Sequence, residues 1–396
     1  MENKKKKKIA LIRGDSLNEW EGGLWNELQS DFDITGFCSK NNLYSISNLT
    51  YPVRKFASTS DNFLMRNVSK FKYGIFQNMK GLENELEHFD IAHTAEISYY
   101  FTNQAVRAKK INKNLKVVTT IWDNSFGRFE YNYWPKFSMP PKYWREKINQ
   151  IIQENVKGVD LFLPVSEFSA QMLYDYGVPK EKVQILTPAV ILKECDDIDI
   201  FTFMKKEHNT DLEKEEIYLS VSRLVKEKGI YDVLYAWKMY IKEKKNKKLI
   251  FVGNGSEREN LIRLTKEFGL QESVLFIKNI PNELLRKLYL HVKCLVLASL
   301  PTYLWQEQFG YVLAEAIIQD CPVIAGQSGA IPEVVGDAGI LIQPGNPLSI
   351  KKALEDFDNL EIYKKKKENC NIVKQKFLVE KFQKELSDVY IKLLEE

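Results

Sequence analysis

The sequence contains no apolar run that approaches the roughly 18 residues needed for a membrane-spanning helix. The apolar stretch after the basic start, MENKKKKKIALIRGD, is also too short for the core of a signal peptide. We therefore expect a cytoplasmic protein. Two interpretations of the lysines stay open, a solvated tail ahead of a first strand or a peripheral contact with the inner surface of a membrane.

Cysteine and histidine are scarce, with five and four residues in 396. No C-x-x-C occurs, which excludes a disulfide framework and a zinc site of that type. His88 and His93 are the nearest histidines, and they lack metal spacing with a carboxylate cluster. The two D-x-D tripeptides, 31–33 and 197–199, do not follow a buried strand, so metal-assisted binding is disfavoured. We expect neither a metal nor another cofactor.

Two further patterns are absent. No stripe interleaves basic and aromatic residues, which argues against a nucleic-acid partner. VGNGSE contains Gly253 and Gly255 but not the third glycine of G-x-G-x-x-G, which argues against a dinucleotide-dependent oxidoreductase. The net charge is +4, and residues 1–190 hold 26 Lys/Arg against 21 Asp/Glu. This mildly basic first half suits an anionic partner without requiring one.

The length predicts two domains, and short β-rich runs alternate with helical segments, which is typical of parallel sheets. Predicted strands are 8–13, 90–95, 116–122, 160–166, 183–187, 217–222, 248–253, 274–278, 294–299, 321–326 and 339–343. Predicted helices of the second half are 229–243, 256–268, 282–290 and 310–319. The predicted organisation is an N-terminal domain (1–190), a linker (191–214), a C-terminal domain (215–375) and a terminal helix (376–396). An aromatic-rich insertion, 122–158, fits either a packed connection or an acceptor-facing loop.

The stretch WQEQFGYVLAEA, 305–316, combines features that suit a nucleotide-sugar. It follows a predicted buried strand and begins a helix, whose unpaired N–H groups favour phosphate. Gly310 allows close approach of a ligand to the backbone. Glu307 lies before the helix and Glu315 about one and a half turns into it, so the two acids can reach hydroxyl groups at opposite ends of a ligand.

A second stretch, SVSRLVKEKG (220–229), places Arg223 and Lys228 at the carboxyl end of the first strand of this domain. One guanidinium and one ammonium suit a departing diphosphate. The alternative is a pair of surface cations near a helix start, which the helix dipole disfavours.

The second half resembles glycosyltransferase family 4, the retaining group with the GT-B fold. The matching pieces are SVSRLVKEKG, FVGNGSERENL, VLFIKNIPNELLRKLY and EQFGYVLAEAIIQDCPVIAGQSGAIPEVVGDAGILIQPGNP, over about 217–347. The acid pair looks like the E-x7-E motif of that family. The resemblance implies an α/β protein of two Rossmann-like doubly wound domains facing across a cleft, with the C-terminal helix returning to the first domain. It also implies that the N-terminal domain binds the acceptor and that the C-terminal domain binds the nucleotide-sugar.

The resemblance also implies roles for individual residues. Glu307 matches the acid on the donor sugar, Glu315 the acid on the ribose, and Arg223 with Lys228 the diphosphate pair. The matching backbone and pocket positions are Gln308, Phe309, Gly310 and Tyr311 at the sugar and diphosphate, and Gly253, Lys278 and Ile280 at the base. In GDSLNEWEGGLWNEL, Gly22 and Gly23 look like the glycine loop whose amides meet the donor phosphate or acceptor, with a simple tight turn as the alternative.

The sequence departs from the family pattern at several positions. Ser222 stands where the family often has glycine, and Trp122, followed by Asp123 and Asn124, stands where it often has histidine. His93 is the nearest substitute by strand order, although a structural role at a strand end is the interpretation that we favour.

We expect a retaining glycosyltransferase that moves a sugar from a nucleotide-diphosphate sugar to a glycan, lipid-linked or small-molecule hydroxyl. The alternatives are another enzyme on the same scaffold, such as an epimerase or phosphorylase, and a sugar-binding protein without turnover.

Overall fold

The computed structural model describes residues 6–61, 77–123, 142–191, 199–208, 210–242, 244–302 and 305–395. The chain divides into two compact units, one made of Met1–Ile191 with Leu378–Glu396 and the other of Leu192–Phe377. Within the described residues, no helix combines the length and the apolar character needed to cross a membrane.

Twelve strands and fourteen α-helices form the described part of the two units. The strands are β1 (Lys7–Ile12), β2 (Phe32–Ser39), β3 (Val53–Phe56), β4 (Ile91–Ala95), β5 (Lys116–Ile121), β6 (Leu161–Pro164), β7 (Glu216–Val221), β8 (Lys247–Val252), β9 (Val274–Ile277), β10 (Val292–Leu297), β11 (Val323–Gly326) and β12 (Gly339–Ile342). The helices are α1 (Glu19–Gly22), α2 (Leu82–Glu85), α3 (Tyr100–Ala108), α4 (Lys142–Gly158), α5 (Glu167–Asp175), α6 (Ile200–His208), α7 (Ile230–Tyr240), α8 (Arg258–Glu267), α9 (Asn282–Tyr289), α10 (Tyr311–Ile318), α11 (Ile331–Val335), α12 (Pro347–Asp356), α13 (Leu360–Val373) and α14 (Val379–Glu395).

The sheet of the first unit is parallel, in the order β3-β2-β1-β4-β5-β6. Its central strands are apolar because helices cover both faces of such a sheet. Ile9 pairs with Ile34 on one side and with Ile91 on the other, and all three side chains are buried. The chain therefore reverses its direction of winding between β1 and β4, which is where open α/β sheets bind ligands.

The sheet of the second unit repeats this topology, with the order β12-β11-β10-β7-β8-β9 and all pairs parallel. Its reversal lies between β7 and β10. The core on one face includes Tyr218, Trp237, Phe251 and Phe357, each almost wholly buried. The prediction of two Rossmann-like sheets is confirmed.

The C-terminal helix α14 belongs to the first unit, as predicted. Its apolar stripe buries Phe382, Leu386 and Tyr390 against the core of that unit. The Trp25 indole N–H donates a hydrogen bond to the Tyr390 hydroxyl at 3.0 Å, which satisfies both polar groups in the apolar interior.

Three details differ from the sequence-based prediction. Strands β2 and β3 were not predicted, and the predicted strand 183–187 is reduced to one bridge between Phe162 and Val183. The predicted linker contains α6, whose Ile200 and Met204 are buried because their apolar side chains pack in the second unit. Of the aromatic insertion, residues 124–141 lie outside the described part of the chain.

Candidate functional site

The reversal point of the second sheet places two loops side by side. Strand β7 leads into residues 222–229, and its neighbour β10 leads into a segment described at 298–302 and 305–310. Parallel strands end at the same edge, so these two loops share the carboxyl edge of the sheet. They contain Arg223, Lys228 and Glu307, the three residues for which we predicted catalytic roles.

Lys228 and Glu307 contact each other directly, although 79 positions separate them in sequence. The Lys228 ammonium lies 2.7 Å from Glu307 Oε2, and the Ser299 hydroxyl donates to the same oxygen at 2.7 Å. The two charged side chains are only 12% and 11% exposed. Charges this buried are retained when they are paired and hydrogen-bonded, which is the case here.

An aromatic ring covers the ammonium group of Lys228. The Nζ atom lies 4.6 Å from the centroid of the partly buried Trp305 ring, a distance typical of a cation–π contact. Lys228 itself ends a short 3-10 turn, Lys226–Lys228, which is followed by Gly229 at φ +65°. A Cβ atom at Gly229 would lie 1.9 Å from the Ala298 carbonyl oxygen, so the two loops touch through their backbones.

The segment from Glu307 to helix α10 is held by backbone contacts. The Glu307 amide donates to Ser328 Oγ at 3.2 Å, and its carbonyl accepts from the Ala330 amide at 3.1 Å. Gly310 caps α10 at φ +84°, a left-handed conformation that favours glycine. No side chain caps this helix start. The first turn of α10 therefore presents the kind of N-terminus that binds anions.

The neighbouring positions of this segment are more buried than exposed. Phe309 is 3% exposed, whereas Gln308 and Tyr311 are partly buried. Phe309 packs edge-on against Phe377, with ring centroids 6.0 Å apart. This contact joins the start of α10 to the C-terminal end of the second unit. The ligand contacts predicted for Gln308, Phe309 and Tyr311 involve their backbone atoms. The burial of these side chains is therefore compatible with the prediction and does not test it.

Arg223 lies in the same loop as Lys228 but does not join the buried pair. Its side chain is 65% exposed, and its nearest carboxylate is that of Glu227 at 3.6 Å. An exposed pair of this kind contributes little to stability. Among the three predicted catalytic residues, the structure therefore brings Lys228 and Glu307 together and leaves Arg223 with a surface partner.

Glu315 lies partly buried on α10 and accepts a hydrogen bond from the Tyr289 hydroxyl at 3.5 Å. Burial raises the pKa of the Glu315 carboxyl, because desolvation disfavours its charged form. The positive charge of Arg286 acts in the opposite direction. The second acid of the predicted pair thus has a different environment from Glu307.

The residues predicted to line a base pocket follow β8 and β9, at the same edge of the sheet. Gly253 has φ +145°, and a Cβ atom there would lie 1.9 Å from the Ser222 carbonyl oxygen. Glycine is therefore required by the contact between two loops, whatever else binds there. Lys278 is exposed and Ile280 is buried at 3% exposure.

In the first unit, the predicted glycine loop is not a loop. Gly22 ends α1, and Gly23 begins a 3-10 turn at φ −61°. The Gly22 amide donates to the Asn18 carbonyl and the Gly23 amide to carbonyls within α1, so both amides are already used. Glycine at position 22 relieves crowding, because a Cβ atom there would lie 2.8 Å from the Tyr51 hydroxyl. A contact of Gly22 or Gly23 with a donor phosphate or an acceptor stays a prediction.

His93 has a structural role, as we favoured. It is fully buried, with Nδ1 2.5 Å from the Tyr390 hydroxyl and Nε2 2.7 Å from Thr120 Oγ1. Burial, with a smaller contribution from the Arg13 charge, holds the pKa of His93 well below its usual value. The imidazole is therefore neutral and both of its nitrogens are engaged.

Sequence reasoning missed two polar groups at the reversal point of the first sheet. Arg13 follows β1 and forms an ion pair with Glu21 at 2.9 Å, with both side chains buried. Glu96 follows β4 at φ +58° and accepts the amides of Trp122 and Asp123 at 2.8 and 3.0 Å. A charged residue directly after an apolar strand was the signal that could have identified both.

The described residues hold no cluster of three or more His, Cys, Asp or Glu side chains that could bind a metal. Of the D-x-D tripeptides, Asp31 and Asp33 flank the start of β2, whereas Asp197 lies outside the described residues. Metal independence stays a prediction.

Residues 202–376 match the family model of glycosyl transferases group 1. The match lies within the second unit and includes the region where we saw the resemblance.

Two curated relatives agree with this match. The chain is 26% identical over 252 residues to N-acetyl-alpha-D-glucosaminyl L-malate synthase of Bacillus anthracis, covering 62% of this chain and 63% of that protein. It is 29% identical over 223 residues to N-acetylgalactosamine-N,N'-diacetylbacillosaminyl-diphospho-undecaprenol 4-alpha-N-acetylgalactosaminyltransferase of Campylobacter jejuni. That match covers 52% of this chain and 54% of that protein. The matches thus span less than two thirds of either relative.

Among solved structures, Anabaena Alr3699/HepE in complex with UDP and glucose superposes with a TM-score of 0.72 over 98% of this chain and 100% of that one. Its sequence identity is 15%, so this likeness concerns the fold alone. Together with the two sheets described above, it identifies the fold as GT-B, as predicted.

Proposed function

We propose that this protein is a retaining glycosyltransferase that moves a sugar from a nucleotide-diphosphate sugar to an acceptor hydroxyl. The observation that supports this most is the buried Lys228–Glu307 pair at the reversal point of the second sheet, beside the N-terminus of α10. A cation, a carboxylate and a helix start at one edge suit a ligand that has both phosphates and hydroxyl groups.

Lys228 and Arg223 would neutralise the charge that develops on the departing diphosphate. Lys228 is held in place by Glu307 and Trp305, so little reorganisation is needed when the leaving group forms. Arg223, with its exposed side chain, can move toward a phosphate at the cost of only a weak surface pair. The amides of the first turn of α10 would bind the same diphosphate.

Glu307 would accept hydrogen bonds from hydroxyl groups of the donor sugar. Its Oε2 atom already accepts from Lys228 and Ser299. A carboxylate oxygen with two donors is a weakened nucleophile, which favours an orienting role over a covalent intermediate. Retention would then follow from attack on the same face as the leaving group, with a diphosphate oxygen taking the acceptor proton.

Glu315 would bind the ribose hydroxyls, and Gly253, Lys278 and Ile280 the region of the base. Metal-independent turnover is part of the proposal, because two cations and a helix start supply the positive charge that a metal ion would otherwise provide. The acceptor is a sugar, lipid-linked or small-molecule hydroxyl. Uridine nucleotides are the first donors to test, since HepE was solved with UDP.

The first experiment is a thermal-shift panel of nucleotide-sugars with and without EDTA. A donor present at 100 times its dissociation constant should stabilise the protein by about 2.7 kcal/mol. The donor found in this way is then incubated with candidate acceptors, and the anomeric configuration of the product is read by NMR. An inverted product would contradict the proposed retention, and turnover abolished by EDTA would contradict metal independence.

Glu307→Gln is the decisive variant, because it removes the charge while preserving the shape and most hydrogen bonds. We expect kcat to fall by about 100-fold or more, with the melting temperature used to confirm folding. Glu259→Gln is the matched control, since the Glu259 side chain is 83% exposed in the same unit. Unchanged sugar transfer by Glu307→Gln would refute the proposed role of Glu307. If the wild-type protein binds a donor but transfers no sugar, a sugar-binding protein without turnover is favoured.

A further inference from the structure

A pair of tryptophan rings lies at the carboxyl edge of the first sheet. Trp122 directly follows β5, and Trp20 lies in α1, which follows β1 after a short loop. Their ring centroids are 6.1 Å apart with the planes at 75°, the edge-to-face arrangement that aromatic pairs prefer. Trp20 is nonetheless 50% exposed. The pair therefore presents indole surface at the edge where open α/β sheets bind ligands.

The backbone that carries each ring is held by hydrogen bonds. Glu96 Oε1 accepts the Trp122 amide at 2.8 Å, directly after β5. The Asn18 side chain accepts the Glu21 amide at 2.8 Å and so caps the helix that carries Trp20. A surface that is fixed in this way loses less conformational freedom when a ligand binds than a mobile one would.

The loop between β2 and β3 adds a second exposed ring near Trp20. Glu19, the residue before Trp20, accepts hydrogen bonds from the Ser45 and Ser47 hydroxyls at 2.5 and 2.8 Å, so this loop lies against α1. The same loop carries Tyr44, which is 53% exposed. Two neighbouring segments thus each expose an aromatic ring, and grouped exposure of this kind is typical of a binding surface.

The charges of these two segments indicate the kind of ligand. Residues 14–23 and 41–50 contain Asp15, Glu19 and Glu21 but no lysine or arginine. Of the bordering cations Arg13 and Lys40, the first is buried and paired with Glu21 at 2.9 Å. Such a surface does not attract anionic lipids, whereas its carboxylates can accept hydrogen bonds from neutral hydroxyl groups. A pyranose offers those hydroxyls together with a face of C–H groups, which suits the electron-rich face of an indole.

We propose that Trp20, supported by Trp122, is a stacking platform for a sugar ring of the acceptor. This inference rests on the proposed function, because it takes the bound sugar to belong to the molecule that receives the transferred unit. It narrows the acceptor to a molecule with a pyranose at its reactive end, whether that pyranose is free or carried by a polysaccharide or a lipid. A small hydroxy acid has no ring with which to stack, so Trp20 also contributes to specificity.

The test measures the binding of the methyl pyranosides of glucose, galactose, mannose and N-acetylglucosamine to the full-length chain by saturation-transfer difference NMR. We expect at least one of them to bind, with the strongest saturation on the C–H groups of one ring face. Trp20→Ala and Trp20→Leu should each weaken that binding by about tenfold, because both remove the aromatic face. Trp20→Tyr keeps an aromatic face and should stay within about threefold of the wild type.

Controls separate a lost platform from a damaged fold. Melting temperatures verify folding, and Trp20→Leu carries the same expectation if Trp20→Ala does not fold. Tyr235→Ala removes a 41% exposed ring from the second unit and should leave pyranoside binding unchanged. With the acceptor that the product assay identifies, Trp20→Ala should raise KM by about tenfold and leave kcat within about twofold. Its stabilisation by the nucleotide-sugar should equal that of the wild type.

The outcomes separate this inference from the proposed function. Absence of pyranoside binding by the wild-type protein, or equal binding by wild type and Trp20→Ala, would overturn the platform and leave the proposed function standing. Cosedimentation with phosphatidylcholine and phosphatidylglycerol vesicles that is lost in Trp20→Ala, with pyranoside binding unchanged, would assign this surface to a membrane instead. Failure of every nucleotide-sugar to stabilise the wild-type protein would overturn the proposed function, and with it the assignment of the bound pyranoside as an acceptor.

Discussion

The buried pair of Lys228 and Glu307 should make the predicted catalytic centre a measurable source of stability. The perturbation is a double-mutant cycle with Lys228→Met, Glu307→Gln and the combined variant. At 2.7 Å and an effective dielectric constant of about 20, the attraction between the charges is about 6 kcal/mol before desolvation is subtracted. Desolvation of both groups offsets much of that attraction, so the net contribution is far smaller.

Each single variant leaves one charged group buried without its ionic partner. We expect each to lower the free energy of unfolding by about 3 kcal/mol, the lower end of the range for broken buried pairs. The combined variant leaves no unpaired charge and should lose about 4 kcal/mol rather than 6. The coupling energy is then about 2 kcal/mol, within the range for contacting residues.

The assay is urea unfolding followed by circular dichroism, with the same cycle on Arg263 and Glu267 as a control. That exposed pair is four positions apart on one helix and should show a coupling of about 0.5 kcal/mol or less. A coupling at Lys228 and Glu307 no larger than the control value would refute the inference that the two charges are held together in a dry environment.

Two more predictions follow from single positions. Gly253→Ala should lower the free energy of unfolding by at least about 3 kcal/mol, because the new Cβ atom would meet the Ser222 carbonyl oxygen. Gly269→Ala is the control and should lower it by about 1 kcal/mol, since a Cβ atom there meets nothing within 4 Å. Equal losses of stability in urea unfolding would contradict this prediction. His93 is neutral in the fold while the unfolded chain takes up a proton below pH 6.5, so stability should decrease with falling pH there by up to about 1.4 kcal/mol per pH unit. His93→Gln should show a shallower decrease between pH 7.5 and 5, and an unchanged slope would show that other groups set the acid sensitivity.

The second unit was largely predictable because its signals are local. Six predicted strands agree with β7 to β12 to within two residues, since each is a short apolar run between turn residues. The contact between Lys228 and Glu307 is less local, yet strand order explains it: β7 and β10 are neighbours, and both residues follow their carboxyl ends.

The first unit was harder because the deciding contacts are distant in sequence. Gly22 and Gly23 resemble a loop motif, but Tyr51, 29 positions after Gly22, packs so closely that glycine is needed within a helical turn. Similarly, the burial of Arg13 depends on Glu21 and on the His93 carbonyl, 80 positions away. No pattern within a short window of sequence contains that information.

The contact between Lys228 and Glu307 also has a consequence for selectivity. A centre that already contains its own counter-ion is close to electrical neutrality, so a small inorganic anion gains little by entering it. An entering molecule must compensate the carboxylate as well as the ammonium, and only one that offers hydroxyl donors together with negative oxygens does both. Under the proposed function, we therefore expect this pairing to disfavour free phosphate and to favour a phosphorylated sugar.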